Sequence, residues 1–212
     1  MAFIPQKIIL PAKYCRLEPL LESSHGEDLW NEFRHNDEIW DYLFYGPWKD
    51  EKEFRQWLKE REIDQNRIYY TVIEPNSNKA LGTFCLLDTD LKNASTEIGG
   101  IIFSPKLQKT RIATEAVFCL VNYAFDLGFR RLQWKCNNEN EASKKAARRF
   151  GFKEEGLFRQ HMIVKGKNRD SLFFSIIDYE WPELKESFEK WLDEKNFDEN
   201  GQQKNRLENF RD

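Results

Sequence analysis

The sequence predicts one α/β (α+β) domain, a central twisted sheet, mixed but mostly antiparallel, flanked by helices. Three observations point there. Residues 67–74 (RIYYTVIE), 80–88 (ALGTFCLLD) and 95–103 (STEIGGIIF) are successive β-branched and aromatic runs broken by turn-like stretches, the pattern of consecutive antiparallel strands. From residue 112 the pattern changes to helix, strand, helix and two closing strands, an alternation that builds a mixed sheet. The 212 residues are 40% apolar, with 17 Phe, 7 Trp and 7 Tyr and no internal repeat, enough for one substantial core.

Taken in order, residues 14–20 (YCRLEPL) predict a short first strand, and Ser23 or Ser24 stands where it would cap an amphipathic helix over 26–36. After the turn-like Tyr45-Gly46-Pro47-Trp48, a second helix starts at Asp50, with Phe54, Trp57, Leu58 and Arg61 at helical spacing. The three strands follow. A helix over 112–127 then stops at Gly128, a strand spans 130–136, and a helix over 141–150 stops at Gly151. Residues 152–164 and 171–181 read as a closing strand pair. Beyond Trp181-Pro182, Leu184, Phe188, Trp191 and Leu192 keep helical spacing, and from about Asn196 the polar end is expected to fray. The domain is therefore drawn over 1–181, with a charged helix and frayed tail over 182–212.

Composition narrows the function. No apolar run approaches the roughly 18 residues of a membrane span, and the N-terminal stretch has no long apolar core with a small-residue cleavage site. A cytoplasmic location without membrane contact is the expectation. Cys15, Cys85, Cys119 and Cys136 are far apart with no CxxC pair, and His25, His35 and His161 share no ligand spacing, so buried thiols and no metal are expected. The net charge is -3, but residues 104–169 hold 15 Lys and Arg against 6 Asp and Glu. A basic segment in an acidic chain suits a polyanion site, or is a solvated helix face.

The most informative stretch is 101–125, where a strand ends at Pro105 and a short basic loop opens a long helix. The unpaired N–H groups and positive dipole end of a helix N-terminus cradle phosphate. Lys109 and Arg111 would add charge there, and Thr110 and Thr114 hydroxyls. An ordinary strand–loop–helix joint is the other reading.

At these residues the sequence resembles the GCN5-related N-acetyltransferase (GNAT) superfamily, in particular its branch similar to the ribosomal-protein acetyltransferases. The pyrophosphate motif of that superfamily, Gln/Arg-x-x-Gly-x-Gly/Ala, is met by Gln108-Lys109-Thr110-Arg111-Ile112-Ala113 at its first and last positions, with Arg111 where the first glycine would stand. A second match, Asn140-Glu141-Ala142-Ser143 leading to Gly151-Phe152, is similar to the Asn-x-x-Ser…Gly-Phe signature. Glu155-Gly156 and the stretch Lys165-Gly166-Lys167-Asn168-Arg169-Asp170 add to the likeness, which covers about 10–181.

The resemblance implies a GNAT-like fold and direct transfer of acetyl from acetyl-CoA, as cosubstrate, to a primary amine. It implies that Ile101, Ile102 and Phe103 pair with the pantetheine arm, and that Gln108, Lys109, Thr110, Arg111, Ile112, Ala113 and Thr114 hold the pyrophosphate. Asn140 and Ser143 would touch the pantetheine or adenine arm, although Asn140 also reads as a helix cap. Glu97 is the candidate general base, directly or through water, unless it is an exposed strand carboxylate. Many relatives carry a Tyr before Gly-Phe as proton donor to the thiolate; residues 146–150 have none, which leaves Ser143 or an unassisted thiolate. Gly99 and Gly100 admit a ligand backbone or mark a β-bulge.

The aromatic cluster Trp40, Tyr42, Phe44, Tyr45 and Trp48, framed by Asp37, Glu38 and Asp41, reads either as an acceptor pocket or as packing. A protein N-terminus and a small-molecule amine both remain open as acceptor. A homodimer through an edge strand or the tail helix over 184–192 is open too. The competing readings are a CoA binder without catalysis and, ranked last, a nucleic-acid module using Phe129, Trp134 and Phe150.

Overall fold

A computed structural model describes residues 1–211 as one eight-stranded sheet with helices on both faces. In chain order the elements are β1 (Leu10–Pro11), β2 (Arg16–Pro19), α1 (Glu22–Phe33), a 3-10 turn over Asp37–Trp40, α2 (Glu51–Glu62), β3 (Ile68–Glu74), β4 (Lys79–Asp90) and β5 (Ser95–Phe103). There follow α3 (Arg111–Asp126), β6 (Arg131–Asn137), α4 (Glu141–Arg149), β7 (Lys153–Val164), β8 (Lys167–Ile177) and α5 (Trp181–Leu192). The strand order is β1-β2-β3-β4-β5-β6-β8-β7, and every pairing is antiparallel except β5 with β6. The expected sheet, mixed but mostly antiparallel, is what forms.

The strand period of two sends alternate side chains to two cores. Phe84 and Leu86 of β4 join α3, α5, Leu132, Trp134 and Phe174 on one face. Cys85, between them, faces the layer built by Leu29, Phe33, Trp40, Phe54, Trp57 and Leu58 from α1, the 3-10 turn and α2. The buried Glu115 of α3 ties the first strands down, accepting hydrogen bonds from the backbone N–H groups of Lys13 (3.1 Å), Tyr14 (2.6 Å) and Cys15 (2.8 Å).

Four expectations are corrected. The first strand starts at Arg16 and gains a two-residue partner, β1, too short to show a period. Neither Ser23 nor Ser24 caps α1, which begins at Glu22; instead the Glu62 carboxylate accepts from the Glu22 N–H at 2.8 Å and the His25 ring accepts from the Leu21 N–H at 3.2 Å. The last strand starts at Lys167, because Lys165 and Gly166, both at positive φ, make a tight hairpin, and it ends at Ile177 because Trp181-Pro182 opens α5. The end beyond Asn196 is packed rather than frayed. Asn196, Phe197 and Leu207 are buried, Asn196 bonds to Trp191 and Asn205, and the Arg211 guanidinium donates to the Arg148 and Arg149 carbonyls at the end of α4. The apolar side of α5, Leu184, Phe188, Trp191 and Leu192, is buried in this core.

Candidate active site

The parallel pair β5–β6 holds together only from Ser95–Arg131 to Glu97–Gln133. Beyond that, residues 98–103 of β5 and 134–137 of β6 have no partner across the gap, and the strands part into a notch. The parting has a local cause. β5 carries one extra residue opposite Phe84, a bulge at Gly100 and Ile101, where Gly100 takes a φ of +57° that an L side chain rarely adopts. A bulge bends its strand, and here it bends β5 away from β6.

The notch leads from the bulge to the loop before α3. Of the residues expected to line it, Ile101 and Phe103 are half-buried and Ile102 is buried in the α1–α2 layer. Gln108 is pinned by its side-chain N–H to the Phe103 carbonyl (2.8 Å), Lys109 stands at φ +61°, and Thr110 caps α3 by accepting from the Ala113 N–H (3.1 Å). The backbone N–H groups of Lys109, Arg111 and Ile112 find no acceptor among the described residues. Three free donors thus stand together at a helix N-terminus, where the dipole is positive.

The side chains there are not all as anticipated. The Arg111 guanidinium carbon lies 3.4 Å from the Phe197 ring centroid and 4.6 Å from that of Tyr14, held between two aromatic rings. Thr114 is buried, its hydroxyl donating to the Thr110 carbonyl and accepting from Arg149 (3.1 Å). Arg111 and Thr114 are thus engaged within the protein.

On the β6 side, Asn140 caps α4 by accepting from the Ser143 N–H (3.0 Å), and the Ser143 hydroxyl accepts from the Trp134 indole N–H (3.0 Å). The structural role read for Asn140 is realised. The Ser143 hydroxyl also hydrogen-bonds the Cys136 thiol, whose pKa burial raises and that bond partly lowers.

Glu97 stands at the vertex of the notch, not exposed but buried. Because Gln133 is its register partner and side-chain direction repeats every two residues, Lys135 rises on the same face and pairs with it at 3.2 Å. Lys135 also approaches Asp88 at 3.6 Å. Burial raises the Glu97 carboxyl above the ordinary range, and Lys135 opposes that without cancelling it. Next to them Arg169, also buried, donates to the Tyr42 carbonyl and the Ser171 hydroxyl and stacks on Phe44.

The aromatic cluster of the α1–α2 connection divides. Trp40 is core, edge-on to Phe33 and Trp57, which is the packing reading. Tyr45 is different, for its hydroxyl reaches the sheet at Gly100. The residues offered to a base stack, Phe129, Trp134 and Phe150, are all buried, so the nucleic-acid reading loses its platform. Sequence reasoning missed Lys135 and Arg169 as neighbours of Glu97; only the fold brings residues 97, 135 and 169 together.

Comparison with known proteins adds an independent line. A family model described as an acetyltransferase (GNAT) domain matches residues 15–153. A GCN5-related N-acetyltransferase structure from Brucella melitensis is 42% identical, with a TM-score of 0.95 over 97% of this chain and 95% of that one. A GNAT-family structure from Chromobacterium violaceum is 41% identical, with a TM-score of 0.82 over 85% of this chain and 91% of that one. The uncharacterized N-acetyltransferase p20 of Bacillus licheniformis is 26% identical over 158 residues, 73% of this chain and 88% of that protein.

Proposed function

The chain belongs to the acetyltransferase (GNAT) family, and from that premise we propose that it moves an acetyl group from acetyl-CoA to a primary amine by direct attack on the thioester. The observation that carries the reading is the continuity of the β5–β6 notch with the free N–H groups of Lys109, Arg111 and Ile112. An extended arm with an amide backbone can pair with the unpartnered edge of β5 at residues 101–103, and its pyrophosphate can then reach the cradle. Gln108 and Thr110 shape that loop by bonding within it. The acetyl end of such an arm falls near the Gly100 bulge.

The acceptor must lose a proton to attack, and Glu97 is placed for this directly or through one water. Its raised pKa makes it a better base than an ordinary exposed carboxylate. The acceptor class, a protein N-terminus or a small-molecule amine, is a primary amine entering beside Phe44, which is half exposed. Ser143, in the first turn of α4, is the candidate to protonate the departing thiolate; a thiol of pKa about 8.5 also leaves without help.

Calorimetric titration with acetyl-CoA, with adenosine bisphosphate and ATP as controls, tests the binding half. Micromolar affinity that needs the whole molecule supports the reading, and absence of binding sinks it. Release of free CoA thiol on a panel of amines and N-terminal peptides tests the transfer half; binding without any turnover would replace it with the non-catalytic reading.

A further inference from the structure

We infer that the Tyr45 hydroxyl is a hydrogen-bond donor to the thioester carbonyl oxygen, a side-chain member of the site that stabilises the charge developing there. The inference rests on the proposed acetyl-CoA reaction and adds a residue that no motif marks.

Four observations carry it. First, position: a methyl placed on Gly100 would lie 3.5 Å from the Tyr45 hydroxyl oxygen, so the hydroxyl borders the bulge where β5 turns its backbone out of the β5–β6 pairing. Second, availability: the residue is half-buried, and its hydroxyl bonds to no described residue and is not among the buried polar atoms left without a partner, so it is accessible to a ligand. An accessible phenol with no partner in the protein keeps its O–H free to donate to a ligand that displaces water. Third, rigidity: the ring lies 4.8 Å from Trp57 and 6.2 Å from Trp40, and the Arg61 guanidinium sits 5.4 Å over it. Gly46 follows at φ +65°, and a methyl there would come within 2.6 Å of the Trp40 ring, so the segment carrying Tyr45 is pressed onto the core. Fourth, protonation: burial, with Tyr69 and Cys85 nearby, pushes the phenol well above its ordinary pKa, so it remains a neutral O–H throughout the working range.

That last property decides which job it can do. A phenol so reluctant to ionise is a poor proton donor to a thiolate but a good fixed dipole. In the step, the amine nitrogen forms a bond to the carbonyl carbon while the C–O π pair moves onto oxygen. The pair then returns as the C–S bond breaks and the thiolate departs. The amine's proton passes to Glu97 or water, and the Tyr45 proton stays on Tyr45. Oxygen gains charge transiently, and a donor already in place costs no reorganisation.

The test is isotope-edited infrared spectroscopy of acetyl-CoA labelled with carbon-13 at the carbonyl, bound to the wild type and to Tyr45→Phe. The expected result is a carbonyl band lowered on binding to the wild type and moved back toward the free position in the variant, with dissociation constants within about threefold of each other. Turnover on any accepted amine should fall about 10²-fold or more in kcat with little change in KM for acetyl-CoA. Tyr69→Phe serves as a control that removes a neighbouring hydroxyl and should leave the band where it is. An unchanged band in Tyr45→Phe overturns the inference while leaving the acetyl-CoA reading intact. Failure of the wild type to bind acetyl-CoA overturns both. Since the hydroxyl bonds to nothing in the protein, the variant should melt with the wild type; a large loss of melting temperature would mark the hydroxyl as structural and likewise count against it.

Discussion

Glu97 and Glu115 are both buried carboxylates, and their neighbours give them opposite uses. Glu97 faces Lys135, Asp88 and Arg169, and burial leaves its pKa above the ordinary glutamate value. A protonated carboxyl cannot accept a proton, so turnover should fall as pH drops through that raised pKa, and Glu97→Gln should lower kcat/KM by about 10²-fold or more and abolish the acid limb. The stability sign runs the other way. A carboxyl whose folded pKa is raised favours folding below its unfolded pKa and loses that contribution as pH rises through the folded value. Removing the charge should therefore leave the neutral-pH melting temperature near that of the wild type, Lys135 keeping Asp88 at 3.6 Å. Glu115 instead accepts three backbone N–H bonds from residues 13–15. Glu115→Ala strands all three donors and should cost roughly 2–4 kcal/mol in urea denaturation, an unchanged midpoint being the result that would refute this role. Sequence could name Glu97 through the family likeness, but nothing near Glu115 hints that its partners lie about 100 residues earlier.

Elements were more legible than contacts, because their signals are local. β5 falls at 95–103, where the sequence places it, and α3 begins within one residue of its predicted start, since alternation and capping chemistry are written in adjacent residues. The parting of β5 from β6 was half legible: Gly99 and Gly100 suggested either a bulge or a ligand approach, and the bulge is what opens the edge that a ligand could pair with. Where a cap comes from another element, as Glu62 does for α1, no local signal exists. The Thr110 cap joins element stability to the site. Thr110→Ala should cost about 1 kcal/mol of stability and weaken acetyl-CoA binding several-fold by loosening the first turn of α3, while Thr110→Ser should retain both. Calorimetry and thermal melts on the two variants check this; equal affinity in Ala and Ser would mean that the loop holds its shape without the cap.

At the scale of the whole molecule, the C-terminal segment couples the fold to the phosphate loop, and this was the least legible part of the chain. Its composition after Asn196 is polar, so periodicity predicts fraying; what holds it is a few anchors, namely Phe197 and Leu207 in the core and the bonds of Asn196, Gln203 and Arg211. Phe197 also carries Arg111, the residue that departs from the family's glycine. A side chain at that position would crowd an approaching pyrophosphate if it turned toward the loop, and the Tyr14 and Phe197 rings hold it aside while its backbone N–H stays free. The consequence is that Arg111 serves as a strut between α3 and the tail. Arg111→Ala should lower the melting temperature by a few degrees and leave acetyl-CoA affinity within about threefold, because the contact it offers is its N–H. Truncation after Asp193 should lower stability further by exposing the apolar rings of α5. If Arg111→Ala instead lost affinity about tenfold or more at unchanged stability, with binding that weakened steeply in salt, the guanidinium would be a phosphate ligand after all, and the ring sandwich only its resting place.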